Sequence, residues 1–426
     1  MFRLETLTEE EPQTIHRDIS ASLRERVVAN VDSKATADLL MDMIRIPSVN
    51  PAPAFAPRLP VEENNEREIA RYLEKVMREL GMETEVLAAQ EYRENVIGRI
   101  KGRQRIQGLV LNAHIDTAPV GHMEDDAFEA KVRHGAIFGR GAVDDKGPLA
   151  AMVMAAAAIV RTDVQLEKDL VVLGAADEEA GGELGTGYMV RRGLVADNAI
   201  VGEATNLGIA IAGKGVIFFE IDVKGKSAHI STPDSGINAV AGAAKLAVRL
   251  EEFDHSLRSR YHELLGSPTL SIASIAGGLE DPSKVPDECV IKMRRGLIPG
   301  ETKQDSIDEV QEIVDQLKRT VPGFQAEIDM SGAMAIDPFH TAPDERIVNV
   351  SREQSRYLAG KDPGYCGVPY GCDASYYGAK SIPTVVCGPG DISLGHSSSE
   401  YIEIEQLVTA ARLYALIILG ICGAPT

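Results

Sequence analysis

LNAHIDTAPVG at residues 111–121 and FGRGAVDDKG at residues 138–147 decide how this chain is read. Leu109, Val110 and Leu111 form a short apolar run, the signature of a strand buried on both faces of a parallel sheet. Polar chemistry begins where that run ends, at His114 and Asp116. Residues two apart on a strand share a face, so this imidazole and this carboxylate are within reach of each other. His114 reads as a metal ligand and Asp116 as the acceptor that fixes its tautomer. The second segment carries Asp144 and Asp145 on a glycine-flanked turn, and a strongly helical run follows from Gly147. In open α/β sheets, ligands bind beyond the carboxyl ends of the strands, where these residues should lie.

Outward from this stretch the pattern repeats. Residues 169–175 and 199–202 read as further buried strands, and each ends in acid: Asp177-Glu178-Glu179 after the first, Glu203 after the second. Residues 147–160, rich in alanine and methionine, predict a helix buried on most sides. Upstream, helices are expected over 35–46 and 66–80, strands over 84–87 and 95–100, and an outer helix before residue 35. Near Ala212 the texture changes. Alternating strands at 216–223, 270–276 and 289–293, with helices over 238–253 and 306–320, suggest an α+β insertion. The core pattern resumes near Ala335 and closes with a strand at 384–387 and a helix from Ile404. The expected fold is α/β. A catalytic domain (residues 1–211 and 335–426) has a mostly parallel, helix-flanked sheet, and an α+β domain is inserted at 212–334.

A chain of 426 residues is too long for one ordinary core, which agrees with two domains. A net charge of −20 argues against nucleic acid or an anionic membrane as partner. The start of the chain lacks the basic and apolar regions of a secretory signal. The apolar stretches at 149–160 and 413–422 fall short of the roughly 18 residues that a membrane span needs. Five cysteines without CxxC spacing point to a reducing, cytoplasmic setting rather than a disulfide scaffold. Gly139-Arg140-Gly141 is no dinucleotide fingerprint, because the third glycine is misplaced.

His114, Asp144, Glu178, Glu179, Glu203 and His396 form a mixed nitrogen and oxygen set that suits Zn²⁺, Mn²⁺ or Co²⁺ better than Ca²⁺ or Mg²⁺. HxD, GRGxxDDKG, DEE, VGEATN (201–206) and GHSSSEY (395–401), in that order, resemble the M20 family of co-catalytic metallohydrolases. That family holds acetylornithine deacetylases, succinyl-diaminopimelate desuccinylases, aminoacylases and glutamate carboxypeptidases, and the resemblance runs from about Ala35 to the end. It implies two divalent ions, Zn²⁺ foremost with Mn²⁺ or Co²⁺ as alternatives. Asp144 would bridge them about 3.5–4 Å apart by its carboxylate, and a cis peptide would join it to Asp145. His114 and Glu203 would complete one site, Glu179 and His396 the other, with Asp116 behind His114. Glu178 would be the general base and acid. Adjacent residues at a strand end point opposite ways, which would turn Glu179 to the metals and Glu178 to the cleft.

The insertion resembles the family's dimerisation or lid domain. Its segment VKGKSAHISTPDSGINAV (223–240) implies that His229 stabilises an oxyanion in the partner of a homodimer. Arg295 resembles the family arginine that grips a substrate carboxylate, although it stands one residue further from Pro299-Gly300 than the pattern, and Arg294 is its rival. Cys372-Asp373 resembles a threonine-aspartate turn with cysteine substituted, and with Tyr370 it makes a candidate substrate pocket. The expected reaction is hydrolysis of an amide C–N bond in a small carboxylated substrate such as an N-acyl amino acid. Two alternatives are hydrolytic deamination of an aromatic amino compound, and a non-catalytic binding protein that keeps the fold.

Overall fold

The computed structural model describes residues 19–52, 58–121, 123, 126–278 and 283–423. The sequence before residue 19, including His16, and His122 lie outside them. The chain begins with α1 (Ala21–Ala29), α2 (Ser33–Ile44) and α3 (Arg67–Glu79), then β1 (Glu83–Ala88), β2 (Glu94–Ile100) and β3 (Gln107–His114). A hairpin of β4 (Lys131–Arg133) and β5 (Ala136–Phe138) leads to α4 (Lys146–Arg161), β6 (Asp169–Ala175), α5 (Thr186–Arg191), β7 (Asn198–Val201) and β8 (Ala210–Gly213). The middle of the chain forms β9 (Gly215–Lys224), α6 (Ala239–Leu257), β10 (Thr269–Gly277), β11 (Glu288–Leu297), α7 (Lys303–Thr320) and β12 (Gln325–Ile336). It closes with β13 (Phe339–His340), α8 (Arg346–Ala359), β14 (Cys366–Val368), α9 (Ala374–Gly378), β15 (Thr384–Val386), β16 (Tyr401–Glu403) and α10 (Ile404–Cys422).

The large sheet runs β1-β2-β6-β3-β7-β15-β8-β13, with β14 also pairing with β8. Its parallel character is concentrated in the four central strands β6, β3, β7 and β15, while β1, β2 and β13 pair antiparallel at the margins. This matters for chemistry. Parallel central strands deliver their carboxyl ends, and the residues that follow them, to one edge. The sheet is covered on both faces, so its residues alternate between two cores. Leu109, Leu111 and Val172 join the core with α4 and α10, whereas Val110, Val171 and Leu173 join the core with α5 and α9. That is why the strands read as unbroken apolar runs.

Helix α10 is longer than the apolar stretch seen in the sequence, and it is long and apolar enough to cross a membrane. Here it is a core helix: its Leu416, Ile417 and Ile418 are fully buried, and it packs on α4, α8 and α2. Helix α8 was not visible as a separate element in the sequence.

The inserted sheet runs β10-β11-β9-β12, antiparallel throughout. Ile217, Phe219, Ile221 and Val223 point into a core with α6 and α7. The alternate residues of β9 therefore face the other way, and two of them, Val216 and Phe218, line a cleft shared with the large sheet. The strands of this sheet extend from Gly215 to Ile336, and β8 before it and β13 after it belong to the large sheet.

Leu416→Ala in α10 should lower unfolding free energy by about 2–5 kcal/mol, because the emptied volume lies between α10 and its covering elements. Urea unfolding followed by circular dichroism checks it.

Candidate metal centre

His114 ends β3, and its imidazole is nearly inaccessible at 1% exposed. Its Nδ1 lies 2.9 Å from the main-chain oxygen of Asp116 and 3.5 Å from that residue's carboxylate. The nearest acceptor is thus the carbonyl, not the expected carboxylate. Nδ1–H donates there, which leaves Nε2 facing Asp144 Oδ1 at 2.9 Å. The other oxygen of Asp144, Oδ2, lies 3.1 Å from His396 Nε2, which is also 3.0 Å from Glu179 Oε1. One carboxylate therefore faces two imidazoles, one per oxygen.

Asp144 sits on the turn before α4, joined to Asp145 by a cis peptide bond. Two N–H groups of this turn, from Val143 and Asp144, donate to Glu400 Oε1 at 2.9 and 3.1 Å. Glu400 Oε2 accepts from buried Arg140 at 2.7 Å. Both Arg140 and Glu400 lie inside the quoted motifs, yet nothing in their spacing shows that they meet. Lys146, fully buried, donates to the carbonyls of Met43 and Ile46 at 3.0 and 2.8 Å and so ties the end of α2 to the turn.

The acids after β6 do not continue the strand, as the sequence suggested. Asp177 has φ 72°, and Glu178 to Ala180 form one 3₁₀ turn. The Glu178 and Glu179 N–H groups both donate to the Asp116 carboxylate, at 3.1 and 3.0 Å, and Asn50 donates to it at 2.8 Å. The Asp116 carboxylate thus holds the turn more than the imidazole. Glu178 Oε2 is 3.9 Å from His114 Nε2. Glu203 follows β7, and its carboxylate, one from Asp145 and the imidazole of His114 offer donor atoms within 4.8 Å of one another. His114, Asp144 and Glu179 form a second such group. Asp145 Oδ2 also accepts the main-chain N–H of His114 at 3.1 Å, and its Oδ1 has no partner. The resemblance implied Asp145 only as the cis-peptide partner of Asp144, not as a donor.

Five carboxylates (Asp144, Asp145, Glu178, Glu179 and Glu203) converge here with two imidazoles. Of the cations behind these groups, Lys146 donates to carbonyls and Arg93 pairs with Glu66 and Asp177. Burial, acting among like charges, holds Asp145, Glu178 and Glu203 well above the usual carboxylate range and raises Glu179. His396 is pushed up to about 11 by Asp144 and Glu179. For His114, burial disfavours the cation, but hydrogen bonds to Asp116 and Asp144 outweigh it and hold the ring well above its ordinary value. Such a set gathers protons when metal-free. It fits two divalent cations, whose charge would replace those protons on a donor set of imidazole and carboxylate.

The cleft that opens on these groups has a volume of about 480 Å³. Its far wall comes from the inserted sheet, where Arg294 on β11, Phe218 on β9 and Met334 on β12 lie side by side in register. Val216, Tyr370 and Ile392 add apolar surface. Among the described residues no acceptor pairs with the Arg294 guanidinium, which lies 5.9 Å from the Phe218 ring. Arg295 is a correction. It is opposite Ile217 in the ladder, points to the helix-covered face, is fully buried, and pairs with Glu301 at 3.0 Å. The β11–β9 pairing is unbroken through Gly296, so no bulge turns Arg295 toward the cleft.

Cys372 and Asp373 are also set back from the cleft. Cys372 is buried, and burial holds its thiol far above the ordinary range. Asp373, raised to about 6 by burial, accepts from Thr186 at 2.6 Å and Asn112 at 3.2 Å. Tyr370 and Gly371, just ahead of Cys372 and Asp373, do line the cleft, and the Tyr370 hydroxyl donates to the carbonyl of Ala204 at 3.3 Å. His229 is exposed, with Nδ1 2.7 Å from the Ser231 hydroxyl, and does not line the cleft of its own chain.

Adding Zn²⁺ to metal-free protein near pH 7 should release protons, because the raised Glu179, Glu203 and His396 must lose them to act as ligands. The sign follows directly: Zn²⁺ affinity should fall as pH is lowered. Calorimetry in buffers of different ionisation enthalpy reads the proton count.

Residues 110–420 match Peptidase family M20/M25/M40. The chain is 32% identical to an acetylornithine deacetylase from Myxococcus xanthus over 74% of its own length and 80% of the relative's. It is 26% identical to an N-formyl-4-amino-5-aminomethyl-2-methylpyrimidine deformylase from Halalkalibacterium halodurans, over 91% and 95% of the two chains. The fold is shared with a tripeptidase from Staphylococcus aureus (TM-score 0.73, 20% identity, 92% and 99% of the chains). It is shared as well with a dinuclear metal-binding peptidase from Bacillus subtilis (TM-score 0.63, 17% identity, 95% and 99% of the chains). With its motif order, its split carboxylate and these relatives, the chain belongs to peptidase family M20/M25/M40 and is a metal-dependent hydrolase of amide-type C–N bonds.

Proposed function

We propose that this hydrolase releases an amine from a small N-acylated substrate that carries a carboxylate, such as an N-acyl amino acid. The observation that carries the reading is the Asp144 carboxylate shared between His114 and His396, facing a cleft whose opposite wall presents Arg294. His114, Asp144, Asp145 and Glu203 would hold one divalent ion, and Asp144, Glu179 and His396 the second. When bound, such ions supply Lewis acidity and a nucleophilic water at neutral pH.

The remaining steps belong to the chain. Glu178, nearly buried yet lining the cleft, accepts the proton of the attacking water and returns it to the leaving nitrogen. Burial and the neighbouring carboxylates hold this carboxyl above the usual carboxylate range in the metal-free site. Arg294, desolvated but without an acceptor among the described residues, receives the substrate carboxylate in a bidentate pair. Val216, Phe218, Met334 and Ile392 bound the apolar part of the substrate and exclude water. We extend the reading to a homodimer formed through the inserted domain. The exposed His229 supports it, being available to a second copy rather than to its own cleft. A small-molecule substrate and a cytoplasmic setting belong to the same proposal, as do catalytic residues before Ala212 and after Met334 flanking the insertion.

The named activities of the two relatives, a deacetylation and a deformylation, both release an amine. They favour amine release here over ammonia release from an aromatic amine.

Glu178→Gln should lower turnover by about 10²- to 10⁴-fold while Zn²⁺ still binds. Primary amine and ammonia are assayed separately across N-acetyl, N-formyl and N-succinyl amino acids and amino-substituted aromatic acids. Ammonia as the product would replace the amide reading, and wild-type turnover in the variant would remove Glu178 from its role. Arg294→Met should raise KM for carboxylate substrates by about 10- to 100-fold, the loss of one charge-assisted pair, with little change for the matching methyl esters. Arg295→Met should instead lower thermal stability, because it removes a fully buried guanidinium that is held by Glu301 and by the carbonyls of Thr269 and Gly296.

A further inference from the structure

Behind the catalytic turn, and outside the cleft, lies a buried ionic cluster that the mechanism above does not use. Arg93 donates from Nε and Nη2 to the two oxygens of Glu66, both at 2.7 Å, and its Nη2 is 2.9 Å from Asp177 Oδ1. Glu66, Arg93 and Asp177 are 0%, 3% and 5% exposed. They come from the start of α3, the turn before β2 and the end of β6. Burying three charges is costly, and as a device for stability alone such a cluster is weak. What it touches suggests another purpose.

Asp177 holds the left-handed conformation that separates β6 from the turn. Its Oδ1 is held by Arg93, its Oδ2 accepts the Leu184 N–H at 3.0 Å, and its own N–H donates to Glu66 at 3.3 Å. Its carbonyl accepts from Ala180 and Gly182 at 3.1 and 2.7 Å. The next two N–H groups, of Glu178 and Glu179, converge on the Asp116 carboxylate. One short turn thereby sends Glu178 toward His114 and Glu179 toward His396. Both directions depend on the backbone angle at Asp177.

We propose that Arg93, clamped by Glu66 and Asp177, is a positioning residue that sets the direction of both glutamates. It acts through the Asp177 backbone, without touching substrate or metal ligand. This rests on the reading of Glu178 as the proton-transfer group and Glu179 as a ligand.

The test compares wild type, Arg93→Met, Arg93→Lys and Asp177→Asn. Two quantities are measured per folded molecule: Zn²⁺ affinity by calorimetry, and kcat and KM on an N-acyl amino acid turned over by wild type. Arg93→Met should lose about 10- to 100-fold in both Zn²⁺ affinity and kcat, with KM little changed. Arg93→Lys should recover part of each loss, since an ammonium can pair with one carboxylate but cannot span two. Wild-type Zn²⁺ affinity and kcat in Arg93→Met, with only a lower melting temperature, would show a structural role and overturn the proposal. If Arg93→Met does not fold, Asp177→Asn decides by the same readouts. It keeps the size and the left-handed preference while losing the charge, and wild-type values there overturn the proposal equally. Wild-type turnover in Glu178→Gln would end the reading of Glu178 alone. Zn²⁺ affinity, which depends on Glu179, would then decide the positioning by itself.

Discussion

The carboxylate of Asp144 stands between two imidazoles that come from residues 114 and 396, and the surrounding structure is arranged to keep it there. Its turn is pinned by Glu400, which is pinned in turn by Arg140. Lys146 anchors the start of α4 to the end of α2. His114 is fixed by the ladder of β3 and by one carbonyl. A shared carboxylate demands this support, because a small displacement of either oxygen would break one of its two contacts. Rigid elements hold such constellations better than loops do.

Concentrating acids in a buried place has a thermodynamic consequence. Mutual repulsion and lost hydration push their protonation upward until cations, or protons, relieve them. The fold therefore carries a region whose stability is tied to what occupies it. It offsets this with dense apolar packing on both sides of the large sheet. The inserted sheet plays a different part. It brings the Arg294 guanidinium, which has no acceptor among the described residues, and an apolar wall to a cleft whose floor is acidic, so the proposed substrate contacts and the metal donors come from separate sheets.

Much of this was legible in the amino-acid sequence. Apolar runs ending in His114, Glu178-Glu179 and Glu203 announced parallel strands with chemistry at their carboxyl ends, because the sheet is buried on both faces and the ends must be polar. Alternation from Val216 announced the inserted sheet. Asp116 was read as a partner of His114 because residues two apart share a strand face, yet the turn at Asp177 brings two N–H groups to its carboxylate instead. Arg295 resembles the family arginine although it stands one residue further from Pro299-Gly300 than the pattern, with Arg294 as its rival. Period-two alternation on β11 decides otherwise, and only the register against Ile217 and Phe218 says which face is which.

The sequence by itself determined the family, the α/β class and the donor types, since these depend on local pattern and residue chemistry. Tertiary structure alone decided which donors meet: Asp145 beside His114 and Glu203, Glu400 beneath the Asp144 turn, Arg93 between Glu66 and Asp177, Arg294 across the cleft. Each of these joins segments far apart in the chain. Their meeting is set by strand order and register, which emerge from how whole faces pack and which no short stretch of residues encodes.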